Sequence, residues 1–127
     1  MSIGSGCTIG INTIVHATQD SDVVLGDNVL LAAQAYLIGG GSYGIDDLDR
    51  PFKEQGQVSL GGIHIESNVW IGSSAQILDG VKVGTGAIVG SGAVVNRHVE
   101  RYHIVAGVPI KTIRSRKPDD LVAGQAS

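Results

Sequence analysis

The chain has 127 residues, enough for about one domain, which sets aside a two-domain enzyme. Nine Lys and Arg against twelve Asp and Glu leave a net charge of -3, without the basic excess that nucleic-acid phosphates attract. Cys7 is the only cysteine, so no intrachain disulfide forms, and no apolar run reaches the roughly 18 residues of a membrane span.

No signal peptide is visible after Met1, so a soluble cytoplasmic protein without membrane or nucleic-acid partners is expected. Val and Ile together fill 29 positions while only five residues are aromatic, a composition that favours strands. Nineteen glycines with only three prolines fit regular turns, and neither collagen nor a disordered linker.

In chain order, Ile3, Ile9 and Val15 are six residues apart, and after four extra residues near Asp20 to Val23 the period resumes at Leu25, Leu31 and Leu37. Residues 39–57 break the period and are polar and glycine-rich, which predicts a protruding loop. From Ile65 the period holds through Ile71, Ile77, Val83, Val89 and Val95. Four positions after each of these stand Val69, Ala75, Val81, Ala87, Ala93 and Val99. A period of six suits neither a helix nor a long alternating strand; it suits short strands that bend at a fixed corner. Gly4, Gly10, Gly26, Gly72, Gly84 and Gly90 each follow a repeat aliphatic and are expected to make those corners.

Three sides close a triangular coil, and stacked coils give an all-β parallel β-helix. One domain over residues 1–127 is expected, with the loop at about 39–57 and a C-terminal extension at about 104–127. Residues from Lys117 onward read either as the start of a helical turn or as a frayed tail. At the other end Ile3 already belongs to a hexad, so the first strand edges call for a neighbouring subunit or a missing N-terminal portion.

Beyond the hexads, three stretches carry a resemblance: Asn68-Val-Trp-Ile-Gly-Ser73, Val89-Gly-Ser-Gly-Ala-Val-Val95, and Val105-Ala-Gly-Val-Pro-Ile-Lys111 followed by Ile113 and Arg114. With the repeat they resemble the hexapeptide-repeat acyltransferases, in particular the galactoside and maltose-type sugar O-acetyltransferases and the xenobiotic acetyltransferases. The resemblance runs from Ile3 to about Arg116. It implies a left-handed β-helix, a homotrimer, acetyl-CoA as co-substrate and no metal. It also implies acetyl transfer to a hydroxyl of a small acceptor at subunit interfaces.

The resemblance places CoA against Ser73, Ser91, Asn96, Arg97, Lys111 and Arg114. Ser73 and Ser91 are one coil apart, which sets them on one face. Asn12 and Asp20 match acceptor-pocket positions of the sugar acetyltransferases. Trp70 lies between the inward Val69 and Ile71 and is expected to point outward, over a subunit interface or the mouth of the site. Backbone N–H groups near Gly72 or Ser73 are candidates for stabilising the oxyanion.

The resembled enzymes carry a catalytic histidine in the loop, just before acidic residues and a proline. Here that place reads Ser42-Tyr43-Gly44, ahead of Asp46 to Pro51. Three replacements are open: Tyr43, a carboxylate such as Asp46 or Asp47, or His16, which lies between Asn12 and Asp20. Chemistry favours His16, because a reference imidazole titrates near 6.5 and a phenol near 10. Two other readings stand beside the enzyme. One is a non-catalytic relative that binds CoA or acceptor. The other is a zinc enzyme like the γ-class carbonic anhydrases, using His64, His98 and His103, although their spacing misses the 18-residue coil.

Overall fold

A computed structural model describes residues 1–118. The first coil contains β1 (Ser2–Ile3), β2 (Thr8–Ile9) and β3 (Ile14–His16), and the second β4 (Val23–Leu25), β5 (Leu30–Leu31) and β6 (Tyr36–Ile38). The chain then leaves the coil in an arm that holds β7 (Ser42–Tyr43), a 3-10 helix at Phe52–Glu54 and β8 (Gln57–Val58). It returns for a third coil of β9 (Ile63–Ile65), β10 (Trp70–Ile71) and β11 (Gln76–Leu78), and a fourth of β12 (Lys82–Val83), β13 (Ile88–Val89) and β14 (Val94–Val95). A shortened fifth coil comprises a bridge at Val99 and β15 (His103–Ala106), on which β16 (Lys111–Ser115) folds back antiparallel.

Strands of successive coils pair in parallel into three sheets, β1-β4-β9-β12, β2-β5-β10-β13-β15 and β3-β6-β11-β14, with the antiparallel β16 added at the end of the second. The result is the expected left-handed parallel β-helix. Ile65, Ile71 and Ile77 pair with Val83, Val89 and Val95, an offset of 18. Ile9 pairs with Leu31 at an offset of 22, so the four extra residues form a turn at Thr18–Ser21 without shifting the ladder. No helix among the described residues is long and apolar enough to cross a membrane.

Both aliphatic rows point inward. Leu31, Ile65, Ile71, Ile77, Val83, Val89 and Val95 are fully buried, and the smaller Ala75, Ala87 and Ala93 fill the corners between them. A fully buried aliphatic of this size contributes about 1.5–3 kcal/mol relative to exposure, so these ladders hold the prism together.

The glycines that follow the repeat aliphatics do not make the corners through left-handed backbone. That conformation falls two residues later, at Gly6, Asn12, Asn28, Gln34, Asn68, Ser74, Gly86 and Gly92. A Cβ on Gly72 would stand 2.6 Å from the Ser91 nitrogen, so this glycine is required by the close approach of the next coil.

The arm is ordered by its own hydrogen bonds. Ser42 pairs with Val58 and Tyr43 with Gln57, and the Gln55 amide bridges to Asp47 and Arg50. It extends past residue 57: Gly61 and Gly62 have positive φ, and the prism resumes at Ile63. Residues 104–106 still belong to a rung of the second sheet through β15. The helical-turn or tail reading of the C-terminus falls mostly on residues 119–127, outside the described residues.

Candidate functional site

The arm leaves and rejoins the prism at one corner. There the register that pairs His16 with Ile38 and Ile38 with Leu78 carries on to set Asp79 beside Gly39. Asp79 is 8% exposed, the only buried carboxylate among the described residues. Its Oδ2 accepts the Leu60 N–H at 2.8 Å and the Ser21 hydroxyl at 2.8 Å, and its Oδ1 accepts the Gly62 N–H at 2.7 Å. The Gly40 N–H acts on it more weakly. Burial alone would raise this carboxyl, but the hydrogen bonds outweigh burial and hold it below the ordinary aspartate value. One charge thus joins the Thr18–Ser21 turn, the start of the arm and its end. Ser59 completes the knot, donating to the Asp20 carbonyl at 2.6 Å.

His16 stands on the outer face at this root. Its Nδ1 lies 3.1 Å from the Gly39 carbonyl, and the Gly39 N–H returns a bond to the His16 carbonyl at 2.7 Å. A carbonyl only accepts, so Nδ1 carries the proton, and in the neutral ring the lone pair is then on Nε2. The imidazole is exposed, and Nε2 has no intramolecular partner among the described residues. A cleft of about 180 Å³ at the arm root is lined by Asp20, Ser21, Gly40 and Gln57 among others, and His16 is not part of its lining.

The other candidates spread over several faces. Tyr43 and Asp46 lie exposed along the arm. Asn12 lines a separate hollow of about 250 Å³ with Gln34, Tyr36, Ser74 and Gln76. Trp70 is half exposed on the outer face of the second sheet, level with Leu30 and Ile88. Ser73 and Ser91 stack on adjacent rungs at an exposed corner, where the Gly92 N–H donates to the Ser73 carbonyl at 2.9 Å. Asn96 is exposed, and Arg97 donates to the Ile110 carbonyl at 2.9 Å, fastening the turn before β16. Lys111 and Arg114 are both on β16, but only Arg114 lines the large groove of about 910 Å³ under the last coil.

That groove is cationic, with Lys82, Arg101 and Lys117 joining Arg114. Glu66 braces it: Arg101 lies 3.1 Å away, Lys82 3.6 Å away, and the Thr85 N–H donates at 2.9 Å. The Arg101 hydrogen bond, with help from Thr85 and Lys82, lowers the Glu66 carboxyl to about 2. The three histidines of the zinc reading do not converge. His98 Nδ1 accepts the Lys82 N–H, His103 faces Glu100 at 3.9 Å, and no group of three metal-binding side chains gathers among the described residues.

Sequence reasoning missed Asp79, Ser21 and Glu66. The available signal for Asp79 was an acid two residues after an inward aliphatic, at a rung position held elsewhere by Ala17, Gly39 and Arg97.

Residues 62–97 match the family model described as bacterial transferase hexapeptide (six repeats), and residues 1–38 that of the hexapeptide repeat of succinyl-transferase. These matches, on a three-sided prism whose short strands recur every six residues, define a hexapeptide-repeat β-helix protein. The chain is similar to the hexapeptide-repeat transferases in both of these stretches. A chloramphenicol acetyltransferase of Agrobacterium fabrum is 48% identical over 68 residues, covering 54% of this chain and 32% of its own. The galactoside O-acetyltransferase of Escherichia coli is 32% identical over 117 residues, covering 89% of this chain and 56% of its own. A hexapeptide-repeat-containing acetyltransferase from Vibrio cholerae superposes with a TM-score of 0.77 at 29% identity, over 91% of this chain and 62% of that one. The chain therefore spans about a third to somewhat over half the length of these relatives.

Proposed function

We propose that the chain is a CoA-dependent O-acetyltransferase acting on a hydroxyl of a small, sugar-like acceptor, with sites formed between the subunits of a homotrimer. The observation that carries this reading is the exposed imidazole of His16 at the root of the arm, fixed at Nδ1 by the Gly39 carbonyl. Nε2 accepts the acceptor's hydroxyl proton as the oxygen attacks the thioester carbonyl, and returns it to the departing CoA thiolate. Ser73, Ser91, Asn96, Arg97, Lys111 and Arg114 are the proposed CoA contacts; Asn12, Asp20 and Trp70 the acceptor contacts.

These residues occupy different faces of one prism, which supports a site completed by a second copy. Two exposed apolar surfaces support the same reading: Leu30 and Trp70 on the second sheet, and Ile45, Leu48 and Phe52 on the arm. The relatives named above, all acetyltransferases, support acetyl-CoA as donor.

The test is CoA release from acetyl-CoA over a panel of sugar and antibiotic hydroxyls. His16→Ala is expected to lower turnover by about 10²–10⁴-fold, the usual contribution of a general base, while Tyr43→Phe leaves it within a few-fold. Loss with Tyr43→Phe and not with His16→Ala moves the base to the arm. A second reading is favoured by one observation, the tyrosine at the place where the resembled enzymes carry their histidine. In that reading the protein binds CoA without transfer, and the native chain binds CoA yet releases none from acetyl-CoA.

A further inference from the structure

A peptide unit joins the buried carboxylate to the exposed imidazole. The Gly39 carbonyl accepts the His16 Nδ1–H at 3.1 Å, and the register that pairs Ile38 with Leu78 brings the Gly39–Gly40 peptide alongside Asp79, on which the Gly40 N–H exerts the weakest of the lowering pulls. In a trans peptide the C=O and N–H point in opposite directions, so carboxylate and imidazole stand at the two poles of one dipole. A second link runs through Ser21. Its hydroxyl donates to Asp79 at 2.8 Å, and its carbonyl packs so closely on Gly39 that no Cβ would fit there.

We propose that Asp79 is a positioning residue for His16, acting through the Gly39–Gly40 peptide to hold the imidazole as the Nδ1–H tautomer with Nε2 facing the acceptor. A carboxylate at the N–H pole polarises the peptide and strengthens the carbonyl as an acceptor, which favours a proton on the ring nitrogen facing it. The same charge holds the arm through Leu60 and Gly62, so arm and imidazole share one fixed reference. Its catalytic meaning rests on the acetyl-transfer reading above; the tautomer does not.

The experiment uses the full chain with 15N-labelled histidine, in which long-range proton–nitrogen spectra report the ring nitrogen that carries hydrogen. The native protein is expected to show His16 mainly as Nδ1–H. Asp79→Asn, which sets a donor where Leu60 and Gly62 need an acceptor, is expected to move His16 toward Nε2–H. It should also lower kcat by about tenfold or more, short of the loss of the base itself, with the KM for acetyl-CoA nearly unchanged. Ser21→Ala keeps the charge and removes one link; it should shift the spectra in the same direction by less, and it decides the matter if Asp79→Asn does not fold. An unchanged His16 tautomer in the folded variants overturns the proposal even where turnover falls, because Asp79 then only anchors the arm. A tautomer shift in a protein that transfers no acetyl group leaves the positioning role standing and removes the acetyl-transfer reading.

Discussion

Coils one and three carry the same hexad, yet they are buried very differently. Ile71 is 0% exposed, whereas Ile9, two rungs earlier in the same sheet, is 48% exposed, and Ile3 beside it 44%. The side chains are identical and both point inward. What differs is the neighbour: β10 lies between β5 and β13, and β2 pairs only with β5. A hexad has no core of its own; each coil is buried by the coils above and below, so stability is a sum over interfaces.

The comparison is tested most severely by truncating the matched isoleucines. Ile71→Ala is expected to cost about 2–5 kcal/mol, combining lost burial with a cavity held open from both sides. Ile9→Ala is expected to cost about 1 kcal/mol, because half of its surface already meets water. Urea unfolding midpoints of the two variants decide this. Equal losses would show that the first coil is covered in solution by another surface.

A matched pair of glycines sharpens the contrast. A Cβ on Gly10 would stand 2.6 Å from the Ala33 nitrogen, and one on Gly72 would stand 2.6 Å from the Ser91 nitrogen. The clash is the same, but coil one can move outward while coil three is clamped. Gly72→Ala is expected to cost about 1–3 kcal/mol, as overpacking does, and Gly10→Ala less than half as much. Similar midpoints for the two would mean that the coils deform alike.

These residues also show what the sequence could reveal. The inward rows from Ile65 to Val99, the insertion near Asp20 and the break after Ile38 were legible, because a six-residue period maps directly onto the rungs. The need for glycine after the repeat aliphatics was legible, but its cause was not, because the Ser91 backbone against Gly72 lies 19 positions away and appears only when the coils stack. His16 was legible as a candidate from its chemistry, but its fixed tautomer was not, since Gly39 reaches it only after the arm is anchored. Asp79 was invisible for the same reason: its partners Ser21 on one side and Leu60 and Gly62 on the other come from two separate segments, and nothing in the local sequence joins them.

The corners differ between the two regions as well, and acid should expose this. Between coils one and two, the exposed Asp27 accepts the Ser5 N–H at 2.9 Å. Between coils three and four, Glu66 accepts the Thr85 N–H at 2.9 Å and also holds Arg101 and Lys82. Its folded pKa is lowered to about 2 from an ordinary 4.5. A lowered pKa means that the unfolded chain binds the proton more readily than the folded one. The contribution of Glu66 is therefore complete above about 4.5 and is lost as pH falls toward 2. Arg101 and Lys82 are largely exposed, so added salt should weaken the effect. Between pH 5 and 2 the urea midpoint of the native chain should fall more steeply than that of Glu66→Gln. The difference isolates this corner from Asp79, whose lowered carboxyl has the same sign and is present in both proteins. Parallel pH profiles would mean that the charge on Glu66 does not brace coils three to five, and that aliphatic burial alone separates the firm end of the prism from the loose one.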